Sequence, residues 1–327
     1  IDYTVAPPFS DSYYPRALHP RSHADRVHRT GLTACNRLRQ LVGASRHDVV
    51  FIQRELMMYG PPVFERLFGK FNAHTVYDFD DAIWGYAGTD ARSWRRYVVD
   101  YDKVRKVASR SKAVIAATGY LADRARTYNP NTVLIPDPIN VDRVQPKTDY
   151  SSDHLTLGWI GNPANLPSLD LIAGALRKTQ AQLPVRLKVV SSIDYHVEGV
   201  EVVNKRWSLS DEAADLRSFD VGLMPLPDTE VVRGKGGIKA LMCMAAGVPV
   251  VCSAIGENLR IVEHGQTGLL ASTEDEWVEA LVSLARDRGM RQRIGRAGRC
   301  FVEHTYPVER LAPQFIDVLC NVASGRS

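Results

Sequence analysis

Short apolar runs alternate with helical patterns along this chain, stop at a polar segment, and then start again. DVVFIQ (Asp48–Gln53), HTVYDF (His74–Phe79), AVIAAT (Ala113–Thr118) and VLIPDPI (Val133–Ile139) are rich in valine and isoleucine and too short to be helices. PPVFERLFGKF and a longer stretch through Arg95–Ser109 separate them with helical spacing. Strands apolar on both faces, with helices between them, belong to parallel sheets covered on both sides. Gln145–Asp153, with Pro146, Ser151 and Ser152, reads as a linker. LTLGWI, VRLKVV, VEVV, DVGLMPL, VPVVCS and GLLA then follow, again with helical stretches between. The simplest account is α/β: two Rossmann-like, doubly wound parallel-sheet domains in tandem, over residues 1–147 and 148–306. A last helix, within 307–327, is expected to cross back to the first domain. Ligands of such sheets bind beyond the carboxyl ends of the strands, so the cleft between the domains is the expected site.

A length of 327 residues suits two domains, and 45% hydrophobic with 24% charged residues suits a globular protein. A net charge of +4 gives no reason to expect a nucleic-acid partner. Five cysteines without a C-x-x-C pair argue against a disulfide framework and against zinc, and fit a reducing cytoplasm. Ala240–Val251 is broken by Gly247 and Pro249, a poor membrane span, and no signal peptide is visible. IDYTVAPPF reads as a strand already under way at Ile1, so residues upstream are expected.

Between Tyr14 and His47, seven arginines and four histidines face one acid, Asp25. Val27, Ala34, Leu38, Leu41 and Val42 predict an amphipathic helix, broken near Gly31. Its basic side is either a solvated face or a weak peripheral contact of segment 16–46 with a membrane or phosphorylated acceptor. Ser208-Leu-Ser-Asp211 and Thr273-Glu-Asp-Glu276 both fit a capping box.

The chemistry concentrates in RGKGGIKALMCMAAGVPVV, Arg233–Val251. GKGGIK is neither a nucleotide-hydrolase phosphate loop nor a dinucleotide fingerprint. A helix starting near Gly237 nevertheless presents amides and a positive dipole end to an anion. Gly236 and Gly237 let a ligand approach the main chain, and Lys235 and Lys239 add charge. The alternative is a glycine turn with solvated lysines.

The run from Trp207 to Ala271, with DVGLMPL, the glycine-lysine stretch and IGENLRIVEHGQTGLLA, resembles the GT-B glycosyltransferases of family 4. It is most similar to a bacterial subgroup with G-K-x-G-x-K followed by A-A-G-x-P-V-V. FIQRE, YDFDDAIW, IPDPINVDR and LGWIGNP match as well, so the resemblance covers nearly the whole chain. It implies retaining transfer of a sugar from a nucleotide-diphosphate sugar to a small-molecule, glycan or lipid-linked acceptor, without a metal cofactor. By the same resemblance Lys235 meets the phosphates, and the donor lies along Asn162, Gly234, Gly236, Gly237, Lys239 and Met242. Arg206 and Trp207 stand near the base, and Glu257 and Asn258 open a helix beside the phosphates.

Two departures stand out. The family's two glutamates, with seven residues between them, correspond to Gly234 and Met242, and a thioether is a weak acceptor for a ribose. The arginine and lysine expected after the first strand of the second domain are replaced by GNPANLPS, which moves the load onto Lys235 and Lys239. If Ile1 falls on the second strand, the first strand and glycine loop of the N-terminal domain are missing too. A non-catalytic nucleotide-sugar-binding subunit, or a GT-B epimerase or coupling enzyme, is therefore the rival reading.

Asp78, Asp80 and Asp81 form the Asp-x-Asp pattern that in the GT-A architecture binds a metal diphosphate. Here they end a strand of the first domain, away from the anion-binding helix, so Asp80 and Asp81 are read as acceptor-side catalytic candidates, or as caps of the following turn. Arg54 and Glu55 point the same way by the strand-end rule, unless they pair with each other. His74 and His264 have no metal spacing.

Overall fold

The computed structural model describes residues 1–7, 23–57, 59–86, 97–152 and 154–325. The chain divides into two units, one of Ile1–Ile135 with Gln314–Ser327 and one of Pro136–Pro313.

In the first unit β1 (Val50–Gln53), β2 (Thr75–Phe79), β3 (Ala113–Ala116) and β4 (Thr132–Leu134) form a parallel sheet in the order β1-β2-β3-β4. Val50 lies opposite Thr75, and Val76 opposite Ala113. Ile52, Tyr77, Phe79, Val114 and Ala116 pack with Val104, Val107, Leu121 and Ala125 from the helices. The helices of this unit are α1 (His23–Ala44), α2 (Val63–Phe71), α3 (Lys103–Ala108) and α4 (Gly119–Arg126); α3 and α4 supply those core residues, while Leu41 and Ala44 of α1 pack with Phe68 of α2. Thr118 caps α4 by accepting from the Leu121 amide, as a helix start after a strand requires. β4 is shorter than the apolar run around it, because Pro136 and Pro138 have no amide to add to the ladder.

Four expectations are corrected here. Residues 1–7 form no strand; instead the Ala6 and Pro7 carbonyls accept from the Arg37 and Gln40 side chains. The rest of that run lies outside the described residues. α1 runs unbroken through Gly31. It buries Thr33, Arg37, Leu41 and Ala44 and exposes Leu38 and Val42, because the Arg37 guanidinium finds carbonyl acceptors on Leu56 and Ala6. Residues 16–22 of the basic segment lie outside the described ones. The long helix expected through 95–109 is only α3: the Gly60 amide donates to the Val98 carbonyl and Gly60 bridges Val99, and turns on either side of that bridge delay the helix to Lys103. Residues 95 and 96 are not among those described.

The second unit holds β5 (Leu155–Ile160), β6 (Val185–Ser191), β7 (Val202–Arg206), β8 (Val221–Met224), β9 (Val250–Ser253) and β10 (Leu269–Ala271). They form one parallel sheet in the order β10-β9-β8-β5-β6-β7. Every residue of β5, β8 and β9 is buried, as strands covered on both faces must be. One face is packed by the turn of 3-10 helix at Pro163–Ile172, α5 (Ala173–Gln180) and, later in the chain, Glu274–Arg286; the other carries Ile238–Ala245 and part of Arg288–Thr305. The strand order reverses between β5 and β8, the place where such sheets bind ligands.

The remaining helices of this unit are α6 (Glu212–Arg217), α7 (Glu230–Arg233), α8 (Ile238–Ala245), α9 (Asn258–Ile261), α10 (Glu274–Arg286) and α11 (Arg288–Thr305), and α12 (Val308–Ala323) starts here but belongs to the first unit from Gln314 onward. Thr273 and Glu276 form the capping box of α10. Ser208–Asp211 does not form one: Asp211 precedes α6 without a side-chain cap bond, and its carboxylate pairs with Lys205 at 3.2 Å. Nor is the stretch after Gln145 a free linker. Lys147 pairs with buried Asp220 at 2.8 Å, and Tyr150 is buried with its hydroxyl on the Gly247 carbonyl.

Candidate active site

In the second unit the chain leaves β8, makes the single turn of α7, and reverses at Gly236–Gly237 to start α8. Gly237 has φ +69°, and a Cβ there would stand 2.3 Å from Ile261 Cδ1, so both the backbone and the space require glycine. No side chain caps α8, which leaves the positive end of the helix for something else.

Lys239, in the first turn of α8, lays its ammonium 4.4 Å above the centre of the Trp159 ring. Gly161, just past β5, makes the room: a Cβ there would fall 2.7 Å from Lys239 Cε. Among the described residues no carboxylate pairs with Lys239. Burial, and then the neighbouring Lys235, pull its pKa down to about 8. Lys235 Nζ lies 3.4 Å from Asn165 Oδ1. Two lysines thus meet at the switch point with no acid of the described chain between them.

The loop after β9 closes against the same turn. Gly256, at φ +57°, packs on the Arg233 main chain, where a Cβ would be 3.0 Å away. Asn258 is 1% exposed; its Nδ2 donates to the Ser253 carbonyl at 3.0 Å, while its Oδ1 is buried without a partner. That oxygen would be 3.5 Å from a Cβ on Gly237. Glu257 is nearly buried, with Arg260 at 3.6 Å.

Gly234, Lys235, Gly237, Lys239, Glu257 and Asn258 are therefore brought together, with Gly236 in the turn between. Met242 is half-buried, one helical turn beyond Lys239, and packs on the core of that face. Asn162 spends its side-chain oxygen on the Ala164 amide. Arg206 and Trp207, at the end of β7, hold other partners: Arg206 pairs with Asp194 at 3.4 Å, and the Trp207 indole donates to Glu212 at 2.8 Å. None of these bonds reaches the glycine turn. Trp159 and Asn165 escaped sequence reasoning. The strand pattern marked Trp159 as buried, but nothing local to it signals the lysine above.

In the first unit Arg54 follows β1 with φ +55°, the one non-glycine residue in the left-handed region among those described. Its amide donates to the Asp78 carbonyl at 2.7 Å. Its guanidinium lies 3.3 Å from Asp80 and 2.7 Å from Asp81. Burial works against that charge, but Asp80, Asp81 and Glu55 together hold its pKa above the ordinary arginine value. The alternative of an Arg54–Glu55 pair is not realised: Glu55 meets Lys103 at 3.2 Å. Lys103 is 1% exposed and also donates to the Met57 carbonyl. Burial raises the Glu55 pKa and Lys103 opposes the rise. Lys103 carried no signal in the sequence, since it sits within the helix expected through 95–109, where nothing local marks a lysine as buried.

Among the described residues no three histidine, cysteine or carboxylate side chains gather as a metal site would, and no helix is long and apolar enough to cross a membrane.

Residues 154–287 match the family model described as "Glycosyl transferases group 1". A D-inositol 3-phosphate glycosyltransferase of Kribbella flavida is 40% identical over 70 residues. That match covers 21% of this chain and 16% of the relative, so the chain spans well under two thirds of that protein. Sucrose-phosphate synthase from Thermosynechococcus elongatus superposes with a TM-score of 0.68 at 16% identity, over 91% of this chain and 79% of the other. The Anabaena protein HepE, crystallised with UDP and glucose, superposes with a TM-score of 0.68 at 15% identity, over 88% and 82%. The two parallel-sheet units are thus those of a GT-B fold, and the second of them carries a domain similar to the glycosyl transferases of group 1.

Proposed function

We propose that this chain is a retaining glycosyltransferase that moves a sugar from a nucleotide-diphosphate sugar to a hydroxyl acceptor. The observation that carries the reading is the pair Lys235 and Lys239, two cations beside an uncapped helix start with no carboxylate partner among the described residues. A diphosphate supplies the missing negative charge. As the sugar departs, charge builds on that leaving group, and lysines and helix amides already aimed at it stabilise the transition state more than the ground state. The UDP bound in HepE is in keeping with such a donor.

In this reading Lys235 contacts the phosphates, Lys239 takes the part of the basic residues absent after β5, and Asn258 offers its open amide oxygen to the donor. Asp80 and Asp81 serve the acceptor. Their carboxylates already hold the Arg54 guanidinium, which is in keeping with transfer that needs no bound metal. Lys235→Ala should lower turnover more than about tenfold by removing a charge-assisted contact. Undiminished turnover with a verified donor sinks the assignment.

Met242 favours a second reading, a subunit that binds nucleotide sugars without transferring them, since a thioether cannot hold a ribose as a carboxylate does. Calorimetry and product analysis separate the two, because the binding subunit takes up the donor and forms no new glycoside. An epimerase leaves the donor mass unchanged.

We also propose a weak peripheral contact of α1 with anionic lipid. Leu32, Leu38, Arg39 and Val42 are exposed on the helix, and Arg46 is exposed just past its end. Flotation with phosphatidylglycerol vesicles but not phosphatidylcholine vesicles is the expected result, and equal recovery with both removes the idea.

A further inference from the structure

Near the end of β2 lie polar groups left incomplete among the described residues. One guanidinium, Arg54, meets two carboxylates, Asp80 and Asp81, so the trio keeps a surplus negative charge. Four residues past Asp80, Trp84 stands edge-on to Phe79 at 6.2 Å and stacks with Tyr120 at 6.3 Å. Among the described residues its indole N–H is buried without an acceptor, and Asp80 Oδ1, though 3.3 Å from Arg54 Nε, is buried with no hydrogen-bond donor aligned on it. Behind them Tyr77 is fully buried, and its hydroxyl has no partner among the neighbouring charges of Glu55 and Glu65. Buried polar groups rarely stay open unless water or a ligand completes them.

Carboxylates that accept from hydroxyls, an indole that donates to one, and an aromatic surface beside them are complementary to a neutral polyhydroxylated molecule. A phosphate ester is a poor match. Lys103 is committed to Glu55 and the Met57 carbonyl, and Arg124, 5.6 Å above the Trp84 ring, is exposed to solvent. The backbone of Arg54 adds to the case: a non-glycine residue is kept in the left-handed region where its side chain reaches Asp80 and Asp81.

We propose that this cluster receives the acceptor as an unphosphorylated sugar or polyol, Asp80 and Asp81 accepting its hydroxyl hydrogens and the Trp84 N–H donating to a hydroxyl oxygen. The inference rests on the glycosyltransferase reading. It separates the chain from the similar D-inositol 3-phosphate glycosyltransferase, whose name specifies a phosphorylated acceptor.

The test uses the full chain and pairs of ligands differing only in a phosphate: glucose with glucose 6-phosphate, and myo-inositol with D-inositol 3-phosphate. Saturation-transfer NMR and calorimetry should give the neutral member of at least one pair about tenfold tighter binding, since a phosphate set against like charge is rejected. Asp81→Asn and Trp84→Phe should weaken the neutral ligand and leave the phosphate ester no weaker, with melting curves showing that each variant folds. The wild-type comparison stands even if neither variant does. Tighter binding of the esters, or no binding of either class at millimolar concentration, overturns the proposal. Nucleotide-sugar binding measured on the same preparation keeps the two ideas apart: if it is present while the esters win, only the acceptor class fails, and if it is absent, the glycosyltransferase reading fails.

Discussion

Lys239 is a cation in a place that suits a cation poorly until a ligand arrives. Its pKa of about 8 lies below the 10.5 of an exposed lysine, so between those values the unfolded chain holds the proton more tightly than the folded one. The unfolded state then binds more protons, and this residue's contribution to stability grows as pH rises through that window. A bound diphosphate has the opposite preference. Donor binding should take up a proton near pH 8 and weaken as pH rises further, by up to about tenfold per pH unit until the pKa of the bound state is passed. Calorimetry of UDP in two buffers of different ionisation enthalpy measures the uptake, and Lys239→Met should abolish it. The lysines themselves were visible in GKGGIK, and so were the two glycines between them. What could not be read there was Trp159 beneath the ammonium or Gly161 beside it, because one lies on β5 and the other just past its end, far away in sequence, and they meet Lys239 only through the strand order.

Single elements divide in the same way. β5, β8 and β9 were legible because burial on both faces leaves an unbroken apolar run, and the box Thr273–Glu276 was legible because capping is local chemistry. α3 was not, since the Gly60–Val99 bridge that shortens it joins distant segments. The segment around Lys147 is the sharper case. Its polarity suggested a linker, yet Lys147 and Asp220 pair at 2.8 Å with both side chains largely buried, and Asp220 also accepts from the Thr156 amide. Breaking one side of such a pair leaves a buried charge uncompensated, so Lys147→Met should cost about 3 kcal/mol in denaturant unfolding. A loss near zero shows that the segment is as loose as its composition suggested. Gly237→Ala is expected to cost about 1–3 kcal/mol through its left-handed backbone alone, and a full-length helix start with normal stability refutes the need for glycine there.

At the scale of the whole molecule, ligand binding should report on the second unit. UDP-, GDP-, ADP- and dTDP-sugars present in turn should raise the melting temperature selectively, as any ligand of the native state does, and the preferred base should lose its effect in Lys235→Ala. A flat response to all four removes the donor site. The repeated alternation of strands and helices made the two-unit architecture readable at once, whereas the acceptor cluster was readable only as a list of charges whose partners the sequence could not assign. The strand order carries one more consequence. β5 lies between β6, which follows it directly, and β8, which comes only after β6, β7 and α6 have been made. A nascent chain that has reached Arg206 therefore displays β5 with one whole edge bare, and every residue of that strand belongs in the interior. Until Val221–Met224 emerges, the half-built sheet is a template for any other strand it meets. The centre of this site therefore stays open until β8 arrives, and chains stalled between β7 and β8 should be the ones that require a chaperone.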